Sequence, residues 1–147
     1  KFHQGSGRFT AFTAAGSFDR TDWTKLQAEL LIEAASIETG IPTRDKHLKS
    51  PDLFDAEQYP SLVYKVTKAE LDEKKLQFNV TGDLTIRGKT LPVSTPVSVL
   101  ENPDGSVTLK GSLVINRRQW GDFTYDGSNP INPIDDQIPI HLTLRFR

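Results

Sequence analysis

Phe78-Asn-Val-Thr-Gly-Asp-Leu-Thr-Ile-Arg87 alternates without a break, with Phe78, Val80, Gly82, Leu84 and Ile86 against Asn79, Thr81, Asp83, Thr85 and Arg87. Successive side chains of a strand point to opposite faces, so this period of two gathers the apolar residues on one side of a half-buried strand. The same pattern recurs on both sides of it. Leu26, Ala28, Leu30, Ile32 and Ala34 alternate with Gln27, Glu29 and Glu33. Val107, Leu109, Gly111, Leu113 and Ile115 oppose Thr108, Lys110, Ser112 and Asn116, and Ile138, Ile140, Leu142, Leu144 and Phe146 oppose His141, Thr143 and Arg145. Weaker strands are expected near Phe2–Ala11, Thr13–Asp19, Leu62–Leu71 and Val93–Leu100, which makes about eight in all.

The punctuation between these runs is short: Asp72-Glu-Lys-Lys75, Arg87-Gly-Lys-Thr90 and Asn102-Pro-Asp-Gly-Ser106. A parallel crossover needs a dozen residues or more, so short turns dictate antiparallel neighbours. Eight antiparallel strands in meander order close most simply into an all-β, up-and-down barrel whose interior can hold a small ligand. A two-sheet sandwich is the rival arrangement. Gly82 and Gly111 fall on the apolar faces of their strands, where glycine marks either a bend or a close approach to a ligand, and both readings stand.

Two segments escape the pattern. Ala34–Pro60 is too long and too mixed in charge for a hairpin loop. It is expected to carry a short helical segment at about 43–58, with Thr43 as its cap and Pro51 as its stop, lying as a lid over one end of the barrel. Asn116–Asp136 is a long loop rich in Gly, Pro and Asn, with Trp120, Phe123 and Tyr125 on it. Long ordered loops in compact domains are commonly functional.

The 147 residues suit a single domain, 1–147. Eighteen Lys and Arg against 19 Asp and Glu give a net charge of −1, scattered along the chain, which is no footprint for nucleic acid. No apolar run approaches the roughly 18 residues of a membrane-spanning helix. The absence of Cys excludes thiol chemistry and Cys-ligated metal. The chain has no Met and opens on Lys1-Phe2-His3 in a strand-like pattern. That is expected of a periplasmic or secreted protein relieved of its signal peptide, or of a trimmed chain.

Catalysis is not expected. There is no Gly-x-Ser-x-Gly elbow, and His3, His47 and His141 are dispersed without ligand spacing. Asp135-Asp136 reads as a turn element, and the Asp122–Asp126 loop lacks calcium-loop spacing. The expectation is therefore no catalytic residue, no metal and no cofactor. Aliphatic alternation alone favours a packed, ligand-free barrel over a ligand tunnel, since the same stripes fill an ordinary core.

Three ordered motifs narrow this. Ala35-Ser-Ile-Glu-Thr-Gly40, followed by Arg44-Asp-Lys-His-Leu-Lys-Ser-Pro-Asp-Leu-Phe-Asp55 and Tyr59-Pro60, is similar to the signature of YceI-like proteins. Val80-Thr-Gly-Asp-Leu-Thr-Ile-Arg-Gly-Lys-Thr-Leu-Pro-Val93 resembles their second characteristic stretch, and Ile115-Asn-Arg-Arg-Gln-Trp-Gly121 their third. Leu53 stands where the family usually has a second Phe, and Gln119-Trp120 where Asp-Phe is commoner, so the apolar lining differs in shape. The resemblance implies an extended, lipocalin-like barrel that binds a long isoprenoid lipid, a polyprenyl chain or an isoprenoid quinone, as carrier or store in the periplasm. The alternative is a stress-response or protein-interaction module with a packed barrel, and a homodimer is left open.

The lining expected on this basis combines Leu30, Ile32, Phe78, Val80, Leu84, Ile86, Leu113 and Ile115 with Leu48, Phe54, Tyr59 and Trp120. A head group at the mouth would find Arg44, Asp45, His47 and Arg117, with Arg118 beside it, since an arginine fork matches phosphate or quinone oxygens. The residues themselves favour Arg44 and Asp45 as a structural bridge pinning the lid, and His47 as a half-buried hydrogen-bonding residue rather than a base.

Overall fold

The computed structural model describes residues 8–72, 77–120 and 137–146. Seven strands form one antiparallel sheet in strict sequence order: β2 (Phe12–Asp19), β3 (Asp22–Glu33), β5 (Ser61–Asp72), β6 (Gln77–Ile86), β7 (Lys89–Glu101), β8 (Val107–Asn116) and β9 (Gln137–Phe146). The sheet curls until its first and last strands meet. Phe18 of β2 packs edge-on against Phe146 of β9 at 5.4 Å, and the Arg20 guanidinium donates to the Gly105 carbonyl across the same end. This nearly closed meander is the up-and-down barrel that the alternation and short turns predict, in the lipocalin-like form the resemblance implies, and not a sandwich of two sheets.

The strand count differs in one respect. The Phe2–Ala11 strand enters the described residues only as β1 (Arg8–Phe9), which pairs with β4 (Ile37–Glu38) in a separate two-stranded sheet. Arg8 and Phe9 therefore lie at the lid end. β7 also begins earlier than expected, at Lys89, and carries Pro92 and Pro96 inside it. Both prolines fall in the half of β7 that has no β8 partner, since that pairing starts only at Val97, so the N–H each lacks interrupts no ladder there.

The faces sort as the alternation dictates. Leu30, Ile32, Val80, Leu84, Ile86, Leu113, Ile115 and Ile140 are buried, while Glu29, Asp83, Val114 and His141 are exposed. The inward set forms one continuous core with the lid residues Ala34, Ile37, Leu48, Leu53 and Phe54. At the far end Phe18 stacks on Trp23 at 4.9 Å, and Trp23 meets Phe78 at 5.9 Å, so aromatic rings floor the barrel.

The lid segment holds one α-helix, α1 (Pro42–Lys49), shorter than the helical segment expected at about 43–58. Pro42 occupies the first turn, where its missing N–H costs nothing, and Ile41 takes the cap position. Thr43 consequently lies inside the helix and does not cap it. The remainder is turns: Phe54 and Ala56 donate their amides to the Leu48 and Lys49 carbonyls, satisfying the helix's free C-terminal end.

Candidate functional site

Among the described residues, the strands line an apolar space in mid-barrel. It is a cavity of about 60 Å³ bordered by β3 (Leu26, Ala28, Leu30), β5 (Tyr64, Val66), β6 (Val80), β7 (Thr95, Val97), β8 (Leu109, Gly111, Leu113) and β9 (Leu142, Leu144). Only two of these side chains carry a polar group, and both turn it to the backbone. The Tyr64 hydroxyl donates to the Val93 carbonyl at 2.9 Å, and the Thr95 hydroxyl to the Ser112 carbonyl at 2.6 Å. The wall therefore presents carbon to whatever enters. Burial, aided by the Asp83 carboxylate, pushes the Tyr64 phenol up to about 12, so it stays neutral throughout the ordinary pH range.

The two inward glycines have different causes. A Cβ on Gly82 would lie 2.6 Å from Cζ of Tyr64 and 2.7 Å from the Lys65 carbonyl oxygen, so Gly82 exists to let the Tyr64 ring lie across its strand. At Gly111 the nearest atom is Val97 Cγ2 at 3.5 Å, an ordinary contact, and the missing side chain contributes to the cavity.

Of the lining expected from sequence, Leu30, Val80 and Leu113 border the cavity. Ile32, Leu84, Ile86 and Ile115 are equally buried but do not border the cavity; they belong to the core that also takes in Leu48 and Phe54, whose ring meets Phe9 edge-on at 6.0 Å. Phe78 belongs to the aromatic floor. Tyr59 is half-buried, its ring edge over Gly88 in the β6–β7 turn. Trp120 is buried at the end of a short 3₁₀ helix, Arg117–Trp120, and its indole N–H donates to the Leu84 carbonyl at 3.0 Å. Phe123 and Tyr125 lie outside the described residues. Sequence reasoning placed Leu26, Ala28, Leu109, Gly111, Leu142 and Leu144 on apolar strand faces without naming them as lining, and left Tyr64, Val66, Thr95 and Val97 out of it as well. The signal that could have found Tyr64 was Gly82 on the neighbouring strand, which pairs with Val66 and lies diagonally under the Tyr64 ring.

The lid is fastened by its own polar groups. Arg44 donates through Nε to Thr39 Oγ1 at 2.9 Å and through Nη2 to the Thr39 carbonyl at 3.1 Å. Asp45 Oδ1 accepts from the Thr39 amide at 2.8 Å and from its hydroxyl. Arg44 and Asp45 thus meet through Thr39, which ties the start of α1 to the strand before it. His47 Nε2 sits 3.1 Å from Asp52 Oδ2. Arg87 reaches up from the β6–β7 turn to the Pro51 and Leu53 carbonyls at 3.1 and 2.9 Å. The backbone of Arg117 lies in the 3₁₀ helix, with Arg118 donating its amide to Asn116 Oδ1 at 3.1 Å.

Among the described residues, no three His, Asp or Glu converge on a point that could hold a metal ion. His141 bonds Ser112 at 3.1 Å on the exposed face, while His3, Asp122–Asp126 and Asp135-Asp136 lie outside the described residues. No helix among the described residues is long and apolar enough to cross a membrane.

An up-and-down barrel with an apolar interior and a tied-down helical lid defines the class of protein. The family follows from it: a model of the YceI-like domain matches residues 1–146, and the chain belongs to that family. Among relatives, a UPF0312 protein of Photorhabdus laumondii is 38% identical over 59% of this chain and 44% of its own length. Protein YceI of Escherichia coli O157:H7 is 31% identical over 67% of this chain and 50% of its own. The chain thus spans about half the length of the curated relatives it matches. Among solved structures, Burkholderia cenocepacia BcnA superposes with a TM-score of 0.80 at 28% identity, over 96% of this chain and 87% of that one. A Campylobacter jejuni YceI protein gives 0.77 at 25% identity, over 99% and 85%. A polyisoprenoid binding domain from Saccharophagus degradans shares the fold at a TM-score of 0.64 and 16% identity, over 91% and 81%.

Proposed function

We propose that this protein binds a long isoprenoid lipid, a polyprenyl chain or an isoprenoid quinone tail, inside its barrel as a non-catalytic carrier or store. One observation carries the reading: the mid-barrel cavity is walled by six strands and offers an entering group no free polar atom, because Tyr64 and Thr95 are both turned to backbone carbonyls. Dry apolar cavities take apolar ligands. Burying methylene groups contributes about 0.8 kcal/mol each, so one five-carbon unit brings roughly 3 kcal/mol before ordering and association costs. The family and the polyisoprenoid binding domain of the same fold support the ligand class. Nothing in this chemistry calls for a catalytic group.

At about 60 Å³ the cavity is well below the roughly 300–1,000 Å³ of ordinary ligand pockets, so a long chain gains room by displacing side chains such as Leu26 and Leu144. The same small volume is the observation that favours the second reading, a packed barrel acting through its surface. Titration with a fluorescent polyprenol analogue separates the two. Binding should be saturable, and Leu113→Gln should weaken it at least tenfold while circular dichroism stays unchanged. Undiminished binding by a folded Leu113→Gln protein would rule out the cavity as the seat, and no binding by the parent protein would favour the packed barrel.

A further inference from the structure

The barrel wall is not equally knitted all round. Pairing between β3 and β5 runs only from Glu33–Ser61 to Glu29–Lys65. Below that point Asp22–Ala28 pairs with β2 alone and Val66–Asp72 with β6 alone. The ladder of β5 is offset by a bulge between Val66 and Lys68, where the seam begins, and bulges bend a strand away from its neighbour. β2 and β9, the two ends of the sheet, have no ladder between them either, and there Phe18 packs on Phe146 and Arg20 reaches the Gly105 carbonyl. A third interruption, between the upper halves of β7 and β8, is also closed by side chains. There the Thr95 hydroxyl reaches the Ser112 carbonyl, and Trp120 is buried beside β7. The β3–β5 seam has no such closure: among the described residues, no side-chain hydrogen bond or ion pair joins Asp22–Ala28 to Val66–Leu71. Thr67 bonds Thr81 on the far side, Lys68 pairs with Glu70 on its own strand, and Lys25 with Asp19.

The seam also lies against the cavity. Leu26, Ala28 and Val66 border the mid-barrel space and, at the same time, an open groove on the outer surface whose rim is Lys25, Gln27, Glu29, Lys65 and Thr67. The two ends of the barrel are less accessible, one floored by Trp23 and Phe78, the other covered by α1 and fastened through Arg87.

We infer that the seam between the lower halves of β3 and β5 is the port through which an apolar chain enters the barrel, its polar end left at the rim outside. This rests on the isoprenoid-binding reading above. Opening here breaks no ladder hydrogen bond, exposes only the apolar edge formed by Leu26, Ala28 and Val66, and leaves the lid in place. The polar rim suits a terminal hydroxyl, phosphate or quinone ring, which stays hydrated while the tail goes in.

The protein has no cysteine, so two introduced thiols are the only ones present. Gln27→Cys with Thr67→Cys places one on each side of the seam, to be joined by oxidation or by a short bis-maleimide. A matched pair, Ser98→Cys with Lys110→Cys, joins β7 to β8 where the two residues are already ladder partners. Uptake of a fluorescent polyprenol analogue is followed by stopped flow, and its final occupancy at equilibrium. Joining the seam should slow uptake and release at least tenfold with final occupancy kept, reduction of the disulfide should restore the rate, and the β7–β8 pair should change nothing. Unchanged rates in the joined seam protein, with binding intact, would overturn the port alone. Failure of the reduced proteins and the parent to bind the analogue at all would overturn the binding reading, and the port with it.

Discussion

Gly82 and Tyr64 form one unit. The ring lies where the glycine has no side chain, and its hydroxyl closes on the Val93 carbonyl. A Cβ at 2.6–2.7 Å from a ring carbon and a backbone oxygen cannot be accommodated without moving the ring or the strand, so Gly82→Ala is expected to cost about 1–3 kcal/mol, as overpacking does. Gly111→Ala, with its nearest neighbour at 3.5 Å, should unfold within about 1 kcal/mol of the parent while narrowing the cavity. Urea denaturation of both variants checks the contrast; equal effects would contradict the different causes assigned to the two glycines. Tyr64 also sets a pH dependence. Its folded pKa is raised from 10.0 to about 12, so the stability it supplies is fully present below pH 10 and is lost as pH rises from there through about 12. Tyr64→Phe should lose about 1 kcal/mol at neutral pH, from the hydroxyl's hydrogen bond, and show a shallower decline between pH 10 and 12 in alkaline denaturation.

At the scale of elements, the strands were legible because one face of each is buried, and burial writes itself into the sequence as a period of two. Phe78–Arg87 could have been read in no other register without putting Val80, Leu84 and Ile86 in water. β5 was harder: Leu62, Val63 and Tyr64 run together and blur the alternation at its start, and the bulge between Val66 and Lys68 then shifts the phase so that Ala69 turns inward. The lid was legible as an interruption but not as a structure. Pro42 opens its helix where Thr43 looked the better cap, and what fastens it is Arg87, a residue from a hairpin turn 34 to 36 positions away. Arg87→Ala removes two hydrogen bonds from a charged donor to lid carbonyls and should cost about 1–3 kcal/mol. Hydrogen exchange should then quicken for the amides of Leu53–Tyr59 and stay unchanged along β8 and β9; uniform quickening would mean that the lid has no separate stability.

For the molecule as a whole, seven strands, an aromatic floor and a tethered lid enclose a space whose walls are carbon. Sequence alternation indicated that such an interior exists. It could not indicate how much of it stays unfilled, because the same Leu and Val residues serve a tunnel and a packed core, and only their three-dimensional fit decides. Nor could it place the gap in the ladder between β3 and β5, which depends on where pairing stops, not on residue type. The most direct test of the account is native mass spectrometry of gently purified protein, followed by solvent extraction and fragmentation of any bound species. The account predicts a co-purifying mass that breaks down in five-carbon steps. A bare protein mass that stays bare after exposure to polyprenols and isoprenoid quinones would contradict it.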